Sequence, residues 1–383
     1  MKFDMSKNKL TYVFGHGRLE KIINNNYEAR EFFYSYFHFD KLSKKIEIVE
    51  MLPEKESVHG SKLILRFIDK VFRKISNLPF YFCEIVSFKN FKTIFNSEKV
   101  LITNDRLAIS LLPIIIFCRL FSKTEFYVII MGLYGKNRDN QFVRIIQKLI
   151  ISLLENQITK LVFLGKGELD YAKIVSTNKK KSKFIFLPFS IDYEFWSEGR
   201  LNYENSNQIL FIGNDGNRDY DFVQKVAKEL PQFTFLFISK NLDQESLTNN
   251  SQLVKGSWNN YELTDLELKN IYKNSFAVIL PLKDSYQPSG QSVSLQAMAC
   301  GVPVIITKTK GFWDYKNFID QKHIIFCKDN DISEWKEAIL NLKQNKILHE
   351  TITENAKKLV KEFYNLEVFH KKLLNALNIN ENL

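Results

Sequence analysis

The stretch from Phe276 to Thr307 constrains the fold of this chain more than any other part of the sequence. Short apolar runs at Phe276–Pro281 and Val302–Thr307 are typical of buried parallel strands. Between them lie a polar loop and a run of small and apolar residues that fits a helix. Strand, loop, helix and strand in this order form the crossover unit of a parallel sheet, so the sequence predicts an α/β protein.

The polar loop of this unit, Lys283 to Gly290, is a predicted anion site. Ligands of parallel sheets bind beyond the carboxyl ends of the strands, and this loop leads from such an end into a helix N-terminus. Unpaired amides and the positive end of the helix dipole favour a phosphate there. Gly290 allows the backbone to approach the anion closely, and Ser289, Gln291 and Ser292 are the neighbouring candidate contacts.

Two motifs resemble those of glycosyltransferases of the family 4 type. Ser289 and Gly290, followed by Gln-Ala-Met-Ala-Cys-Gly-Val-Pro-Val at 296–304, resemble the donor-site signature of that family, a Gly-containing loop and then Glu-Ala-Met-Ala-x-Gly-x-Pro-Val. The segment from Pro188 to Phe195 resembles the connection between the two domains of the family. The resemblance implies the GT-B architecture, in which two Rossmann-like domains with parallel sheets face each other across a cleft.

The chain departs from the family pattern in the donor signature. Gln296 stands where the family has a glutamate that holds the ribose hydroxyls of a nucleotide-sugar. An amide both accepts and donates hydrogen bonds, so we expect ribose binding to persist without a charged acceptor. The second glutamate of the family falls at Pro288 and is absent, which leaves the orientation of the sugar open. The resemblance also makes Gly256 and Ser257 candidates for contact with the nucleobase.

The length of 383 residues suits two domains at the usual size of about 100–200 residues each. The resemblance implies that residues 1–195 form an N-terminal acceptor-binding domain and residues 196–365 a C-terminal domain for the donor. It further implies that a C-terminal helix in residues 366–383 crosses back to the first domain.

Two polar turns of the first half supply candidate cleft residues. Gly15, His16, Gly17 and Arg18 follow the first predicted strand, and in the resembled family this loop faces the cleft beneath the donor. An ordinary strand-end turn with solvated side chains is the alternative. Asp105 follows another predicted strand and has two interpretations: a cap of the next helix, or a base that takes a proton from the acceptor hydroxyl.

A polar loop of the second half, Gly213 to Asp219, is the other predicted anion site. Glycines and an arginine at a helix start suit a diphosphate held by amides and a guanidinium. In the resembled family two cations grip the diphosphate; here Asn214 stands at the arginine position and Arg218 near that of the lysine. Lys240, after the next strand, is a candidate for the missing cation. The alternative for Arg218 is an ion pair with an aspartate of its own loop.

A formal net charge of +11 and a sequence pI near 9.2 indicate an anionic partner: nucleic acid, a phosphorylated small molecule or a membrane surface. No recognisable nucleic-acid-binding module is present, which argues against nucleic acid. Apolar and basic residues are interleaved at helical spacing from Lys62 to Ile75, which predicts an amphipathic basic helix. Such a helix either covers the core or meets anionic lipid. The resemblance supports the lipid, because many such enzymes act on lipid-linked acceptors.

The remaining sequence features bear on compartment and cofactors. The four cysteines lie far apart in apolar surroundings, which predicts buried free thiols in a reducing compartment. The polar segment Met1–Lys9 is unlike a signal peptide, and the longest apolar stretch, Leu107–Cys118, is too short to span a membrane. The His/Cys spacing typical of a divalent-metal site is not found, so no metal or other cofactor is expected. We expect a cytoplasmic protein, at the inner face of the membrane if lipid binding holds.

These features together predict a metal-independent glycosyltransferase. A sugar would pass from a UDP- or GDP-sugar to a hydroxyl of a glycan or lipid-linked acceptor, with the amides at Ser289–Ser292 and Arg218 neutralising the departing diphosphate. Arg218, Asp105 and His16 are the candidate catalytic residues. The resemblance implies retention at the anomeric carbon, and an inverting path with Asp105 as base stays open. A nucleotide-sugar epimerase of GT-B fold and a non-catalytic nucleotide-sugar-binding protein are the alternatives.

Overall fold

The computed structural model describes residues 10–41, 46–53, 61–135, 140–176, 181–199, 206–256 and 263–379. They form two six-stranded sheets in which every pairing is parallel. The first sheet has the order β2-β1-β3-β4-β5-β6 and the second β12-β11-β10-β7-β8-β9. The strands are β1 Leu10–Phe14, β2 Ile46–Glu50, β3 Lys99–Ile102, β4 Glu125–Ile130, β5 Lys160–Phe163, β6 Phe184–Phe186, β7 Gln208–Ile212, β8 Thr234–Ile238, β9 Ser251–Val254, β10 Ala277–Leu280, β11 Val304–Thr307 and β12 Ile325–Cys327.

Helices connect the strands in both halves. They are α1 Arg18–Ile23, α2 Tyr36–Lys41, α3 Ser61–Ser76, α4 Phe82–Ile85, α5 Phe88–Phe95, α6 Asp105–Ser110, α7 Leu112–Phe121, α8 Gln141–Gln157, α9 Lys166–Val175, α10 Tyr193–Ser197, α11 Tyr220–Glu229, α12 Asp265–Lys273, α13 Gln291–Ala299, α14 Ile332–Gln344, α15 Lys346–Phe363 and α16 Leu366–Leu377. The predicted parallel α/β architecture is confirmed.

Most strands lie where apolar runs predict them, and β2 is the strand that the sequence analysis missed. Its residues read Ile-Glu-Ile-Val-Glu, and it occupies the edge of the first sheet. Since one of its five residues is fully buried, the strand lacks the continuous apolar run of the central strands.

One hydrophobic core joins the two halves. Alternate residues of β1 such as Tyr12 and Phe14 belong to the same cluster as Val278 and Leu280 of β10. The opposite face of each sheet has a core of its own, with Val13 in one and Ile279 in the other. The two halves therefore contribute to one continuous apolar cluster.

The chain crosses between the halves twice. The predicted domain boundary near Trp196 falls in α10, between the last strand of the first sheet and the first strand of the second. Near the C-terminus, the Ile191 N–H donates to the Tyr364 carbonyl at 2.9 Å. Helix α16 then lies against the first half, where Phe369 packs on Tyr34.

Candidate functional site

A cavity of about 180 Å³, here called the cleft cavity, lies between the carboxyl ends of the two sheets. Both halves of the chain and the connection between them contribute to its wall. The lining residues are Phe32, Tyr34, Met131, Leu164, Phe189, Asp215, Arg218, Gln287, Pro288, Ser289, Gly290, Gln291 and Ser292. Both predicted anion loops, Gly213–Asp219 and Lys283–Gly290, therefore reach the same space.

The N-terminus of α13 forms one wall of the cleft cavity. Gly290 is the residue before the helix and has φ +82°, a left-handed conformation that disfavours any other residue. A Cβ there would also lie 3.3 Å from side chains of Leu280 and Ile306. Among the described residues no side chain caps this helix end, and Gln291 and Ser292 line the cavity. The amides of the first turn are therefore suited to an anion, as the sequence predicts.

Arg218 supplies the positive charge at the cleft cavity, and Ile212, Gly213 and Asp215 together determine where its side chain lies. It is 3% exposed, and its Nε donates to the Ile212 carbonyl at 3.2 Å. Gly213 leaves room for it, because a Cβ there would lie 2.4 Å from Nε. Asp215 Oδ2 lies 3.1 Å from Nη1, outside hydrogen-bond alignment, so it contributes charge rather than a hydrogen bond. Arg218 therefore lines the cavity and also pairs with an aspartate of its loop, and its contact with a diphosphate stays a prediction.

The two anion loops are tied to each other by Asn217, which the sequence analysis did not single out. Its Nδ2 donates to Ser289 Oγ at 2.8 Å, and its carbonyl accepts from the Lys283 N–H at 2.8 Å. An amide in a polar turn is too common a feature to have marked this residue. The link fixes the guanidinium loop against the N-terminus of α13.

Asn214 and Lys240 have roles other than the predicted ones. Asn214 Oδ1 accepts from the Lys240 N–H at 2.7 Å, and its Nδ2 donates to the Gly256 carbonyl at 2.8 Å. Asn214 therefore joins the carboxyl ends of β7, β8 and β9. The Lys240 side chain is exposed and does not line the cavity, so the expectation that it supplies the missing cation is not met. Ser257 lies outside the described residues.

Gln296 is buried and faces a carboxylate rather than the cleft cavity. Its Nε2 donates to Glu31 Oε1 at 2.9 Å, and its Oε1 accepts from the Tyr272 hydroxyl at 3.1 Å. Trp196 Nε1 donates to the same Glu31 oxygen at 2.9 Å. Burial raises the pKa of Glu31 to about 7, and the hydrogen bond from Gln296 opposes that rise. Ribose binding by Gln296 stays a prediction, and it requires the amide to exchange these partners.

The turn Gly15–Arg18 does not line the cleft cavity. Glu50 Oε1 accepts from the N–H groups of Arg18 and Leu19 at 2.6 and 2.7 Å, so the start of α1 already holds a carboxylate. The Arg18 guanidinium donates to the Phe32 carbonyl at 3.2 Å and thereby supports a residue that does line the cavity. His16 is exposed. The expected direct contacts of this turn with the cavity are therefore absent from the described structure.

Asp105 neither caps a helix nor lines the cavity. The neighbouring Asn104 caps α6 by accepting from the Leu107 N–H at 2.9 Å. Asp105 Oδ1 instead accepts from the Met131 N–H at 3.2 Å. It thereby holds the residue that follows β4 and lines the cavity.

A second buried carboxylate, that of Glu168, holds the segment that follows β4. It accepts from the N–H groups of Gly132 and Tyr134 at about 3 Å. Burial raises the pKa of Glu168 to about 8, and the nearby Asp105 adds to the rise. The sequence shows Glu168 only as a helical residue, so its role escaped prediction. In the described ranges no group of three or more His, Cys, Asp or Glu side chains is arranged to hold a metal ion.

The loop Lys283–Gly290 and the residue Lys310, both of the second half, pack directly on glycines of the first half. A Cβ at Gly135 would lie 2.6 Å from the Gln287 amide nitrogen, and one at Gly165 would lie 2.6 Å from Pro288. A Cβ at Gly167 would lie 2.2 Å from the Lys310 carbonyl oxygen. These three positions, here called the glycine face, let the backbones of the two halves meet. The two halves are therefore in direct contact beside the cleft cavity.

Comparisons with known proteins agree with this geometry. Residues 192–359 match the family model of "Glycosyl transferases group 1", a segment that holds the donor-site motif and the second half of the interdomain motif. The chain is 36% identical over 85 residues to an uncharacterized glycosyltransferase of Methanocaldococcus jannaschii, a match that spans 22% of this chain and 21% of that relative. The predicted resemblance is confirmed over these segments.

Solved structures share the whole architecture. Sucrose-phosphate synthase of Thermosynechococcus elongatus matches with a TM-score of 0.69 at 11% identity, over 96% of this chain and 98% of the other. HepE of Anabaena in complex with UDP matches with a TM-score of 0.64 at 10% identity, over 97% and 99%. At these identities the likeness shows the fold, which is GT-B.

Proposed function

From the match of residues 192–359 to the group 1 glycosyl transferases, we propose that this GT-B protein transfers a sugar from a nucleotide-activated donor to a hydroxyl acceptor. One observation carries the proposal: the buried Arg218 and the uncapped N-terminus of α13 line the same cleft cavity. When the bond between the anomeric carbon and the diphosphate breaks, negative charge accumulates on the leaving oxygen. A guanidinium and helix amides fixed in advance stabilise that charge.

We further propose a UDP-sugar as donor and retention at the anomeric carbon. HepE of Anabaena, which shares the fold, has been crystallised with UDP and with UDP-glucose. The carboxylate among the described lining residues is Asp215, and Arg218 lies beside it. Asp105 is engaged with the Met131 amide. These contacts favour a path that needs no carboxylate base at the acceptor hydroxyl.

The donor proposal is tested by incubating the purified protein with a panel of UDP- and GDP-sugars and no acceptor. We expect slow release of nucleoside diphosphate from one UDP-sugar, because water replaces the missing acceptor. The product sugar is analysed in parallel. A changed sugar configuration without release of diphosphate would identify an epimerase, and binding without any turnover would identify a non-catalytic binding protein.

We also propose that the acceptor is lipid-linked and that α3 lies on an anionic membrane surface. The helix has its apolar side outward: Leu63, Ile64 and Phe67 are 56%, 65% and 68% exposed. The side that faces the protein carries the buried Asp69, whose carboxylate accepts from the amides of Phe82 and Cys83. An apolar strip exposed to water has no stabilising partner among the described residues, whereas a bilayer interface supplies one.

The positive charge on this surface comes from lysines rather than from arginines. Lys62, Lys70 and Lys74 of α3 are exposed. Arg66 is held at 3.2 Å by Glu84, and Arg73 lies over the Tyr81 ring, so these two belong to the scaffold. Lysines beside exposed apolar residues fit a negatively charged leaflet. No described helix is long and apolar enough to cross a membrane.

We expect the protein to sediment with vesicles that contain anionic lipid, and less so as salt rises. Exchange of Lys62, Lys70 and Lys74 for Gln should weaken binding by about 1 kcal/mol for each lysine. Replacement of Leu63, Ile64 and Phe67 by Ser should abolish sedimentation without lowering the melting temperature, because these side chains are exposed.

The matched control is Ile347→Ser, which removes an apolar side chain that is 77% exposed on α15 of the other half. It should leave sedimentation unchanged. If the Leu63, Ile64 and Phe67 variant still sediments, or if the wild type never does, the helix does not contact the membrane.

A further inference from the structure

A second cavity of about 180 Å³, here called the rear cavity, lies between the segment Arg30–Lys41 and helix α16. The segment separates it from the cleft cavity: Phe32 and Tyr34 line the cleft cavity, whereas Arg30 and Ser35 line the rear cavity. We propose that the rear cavity is a binding site for a small phosphate-type anion, separate from the donor site. The proposal does not depend on the glycosyltransferase activity.

The first observation is a buried imidazole with no hydrogen-bond partner among the described residues. His370 of α16 lines the rear cavity and is 1% exposed, yet neither Nδ1 nor Nε2 has a partner there. The Ser35 hydroxyl at the same cavity is also buried and also has no hydrogen-bond partner among the described residues. Buried polar groups are almost always paired, and leaving one unpaired costs about 1–3 kcal/mol. Two such groups on one cavity indicate a bound partner.

The second observation is the sign of the charge around the cavity. Arg30 and Lys41 line it together with the two histidines, His38 and His370, whose rings are stacked with centroids 3.2 Å apart. Burial and the neighbouring cations lower the pKa of His370 to about 4. A neutral imidazole still donates one N–H to an anion.

The lining also holds a carboxylate and a paired cation. Glu367 accepts from Lys371 at 2.6 Å, so its charge is largely balanced. Asp192 binds the Nε/Nη2 edge of the Arg30 guanidinium, with Nε to Oδ2 at 2.8 Å. A guanidinium has five N–H donors, so one occupied edge leaves the group able to bind an oxyanion as well. The chemistry of the wall therefore favours an anion over a metal cation.

The third observation is the backbone that builds the wall. Tyr34 and Ser35 are successive non-glycine residues with φ of 48° and 67°. Left-handed conformations of such residues are costly and cluster at functional sites. The two residues turn the chain so that Tyr34 faces one cavity and Ser35 the other. With about 30 Å³ for each water, the volume suits a phosphate or a small phosphate ester and is below that of a typical drug-sized ligand site.

The probe is inorganic phosphate, titrated at constant ionic strength against the full chain and followed by NMR of the imidazole groups. Signals of His370 are identified by their loss in His370→Phe. We expect them to shift saturably with phosphate but not with chloride. The signals of His349 should not move, because this buried histidine of α15 lies at the Phe276 carbonyl and does not line the rear cavity. Arg218→Gln should leave the His370 response intact, because Arg218 belongs to the cleft cavity.

Calorimetry in the Arg218→Gln background, in which phosphate binding at the cleft cavity is weakened, then follows the rear cavity. His370→Phe keeps an aromatic ring at this position and removes the imidazole N–H. Phosphate affinity should therefore fall at least about tenfold with no loss of melting temperature. Lys41→Gln, at an exposed residue, should weaken affinity about two- to fivefold. Phosphate affinity equal to the parent in both variants would overturn the proposal. So would His370 signals that respond to Zn²⁺ and not to phosphate, or equally to phosphate and chloride.

Discussion

Replacement of Arg218 by alanine is expected to lower turnover by about 30- to 1000-fold, the loss of about 2–4 kcal/mol of transition-state stabilisation in a shielded cleft. The guanidinium is 3% exposed, and its Nη1 lacks a well-aligned hydrogen-bond partner among the described residues. A departing diphosphate would supply that partner. Because its contact strengthens as charge accumulates, the rate should fall more than donor affinity. Steady-state kinetics together with calorimetry of UDP binding separate the two effects.

Two glycines of the same loop provide matched variants for this prediction. Gly213→Ala keeps the arginine but places a Cβ 2.4 Å from its Nε, so the guanidinium must move and turnover should fall as well. A Cβ at Gly216 meets nothing within 4 Å, so Gly216→Ala should be close to wild type. Arg218→Lys should recover part of the activity, because charge remains while the fork geometry is lost. Full activity in Arg218→Ala would mean that the diphosphate is held elsewhere.

Alanine at Gly167 is expected to lower turnover by about 100-fold while leaving UDP binding nearly unchanged. The added Cβ would lie 2.2 Å from the Lys310 carbonyl oxygen, so the two halves must separate locally. The predicted donor contacts, Ser289 to Ser292, belong to the second half together with Arg218 and are expected to stay with it. The bond from Gln291 Nε2 to the Leu164 carbonyl of the first half, at 2.9 Å, would lengthen. A displacement of about 1 Å at a reacting centre costs about this factor in rate.

The measurements are kcat, the dissociation constant of UDP, and the radius of gyration from small-angle X-ray scattering. Lys166→Ala is the matched control, since it changes the preceding residue of the same helix but only removes a half-exposed side chain that pairs with Asp170. Unchanged turnover in Gly167→Ala would show that catalysis does not require the closed contact at the glycine face.

The sequence predicts those parts of the site that depend on neighbours along the chain. Gly290 before α13 and Arg218 before α11 follow from a strand, a turn and a helix start, and both lie at the cleft cavity. Glu31 could not be anticipated in this way. Its partners Trp196 and Gln296 are 165 and 265 residues away in the sequence, so only the packed structure brings them together.

The same limit applies to Gln296 and to α3. A motif gives the identity of residue 296 and its place in a helix, but Glu31 decides which way the amide is held. The period of α3 separates an apolar side from a polar one. The side that faces the protein carries Asp69, whose carboxylate accepts from the N–H groups of Phe82 and Cys83 at the start of α4. Periodicity alone carries no information on such a partner.

The apolar cluster shared by the two halves limits which changes of sequence the protein can accommodate. Phe14 of the first sheet and Leu280 of the second belong to one cluster, so each half buries part of its apolar surface only in the presence of the other. Half-chains made separately would expose that surface and aggregate. A recombination event that exchanged one half between relatives would also break the packing.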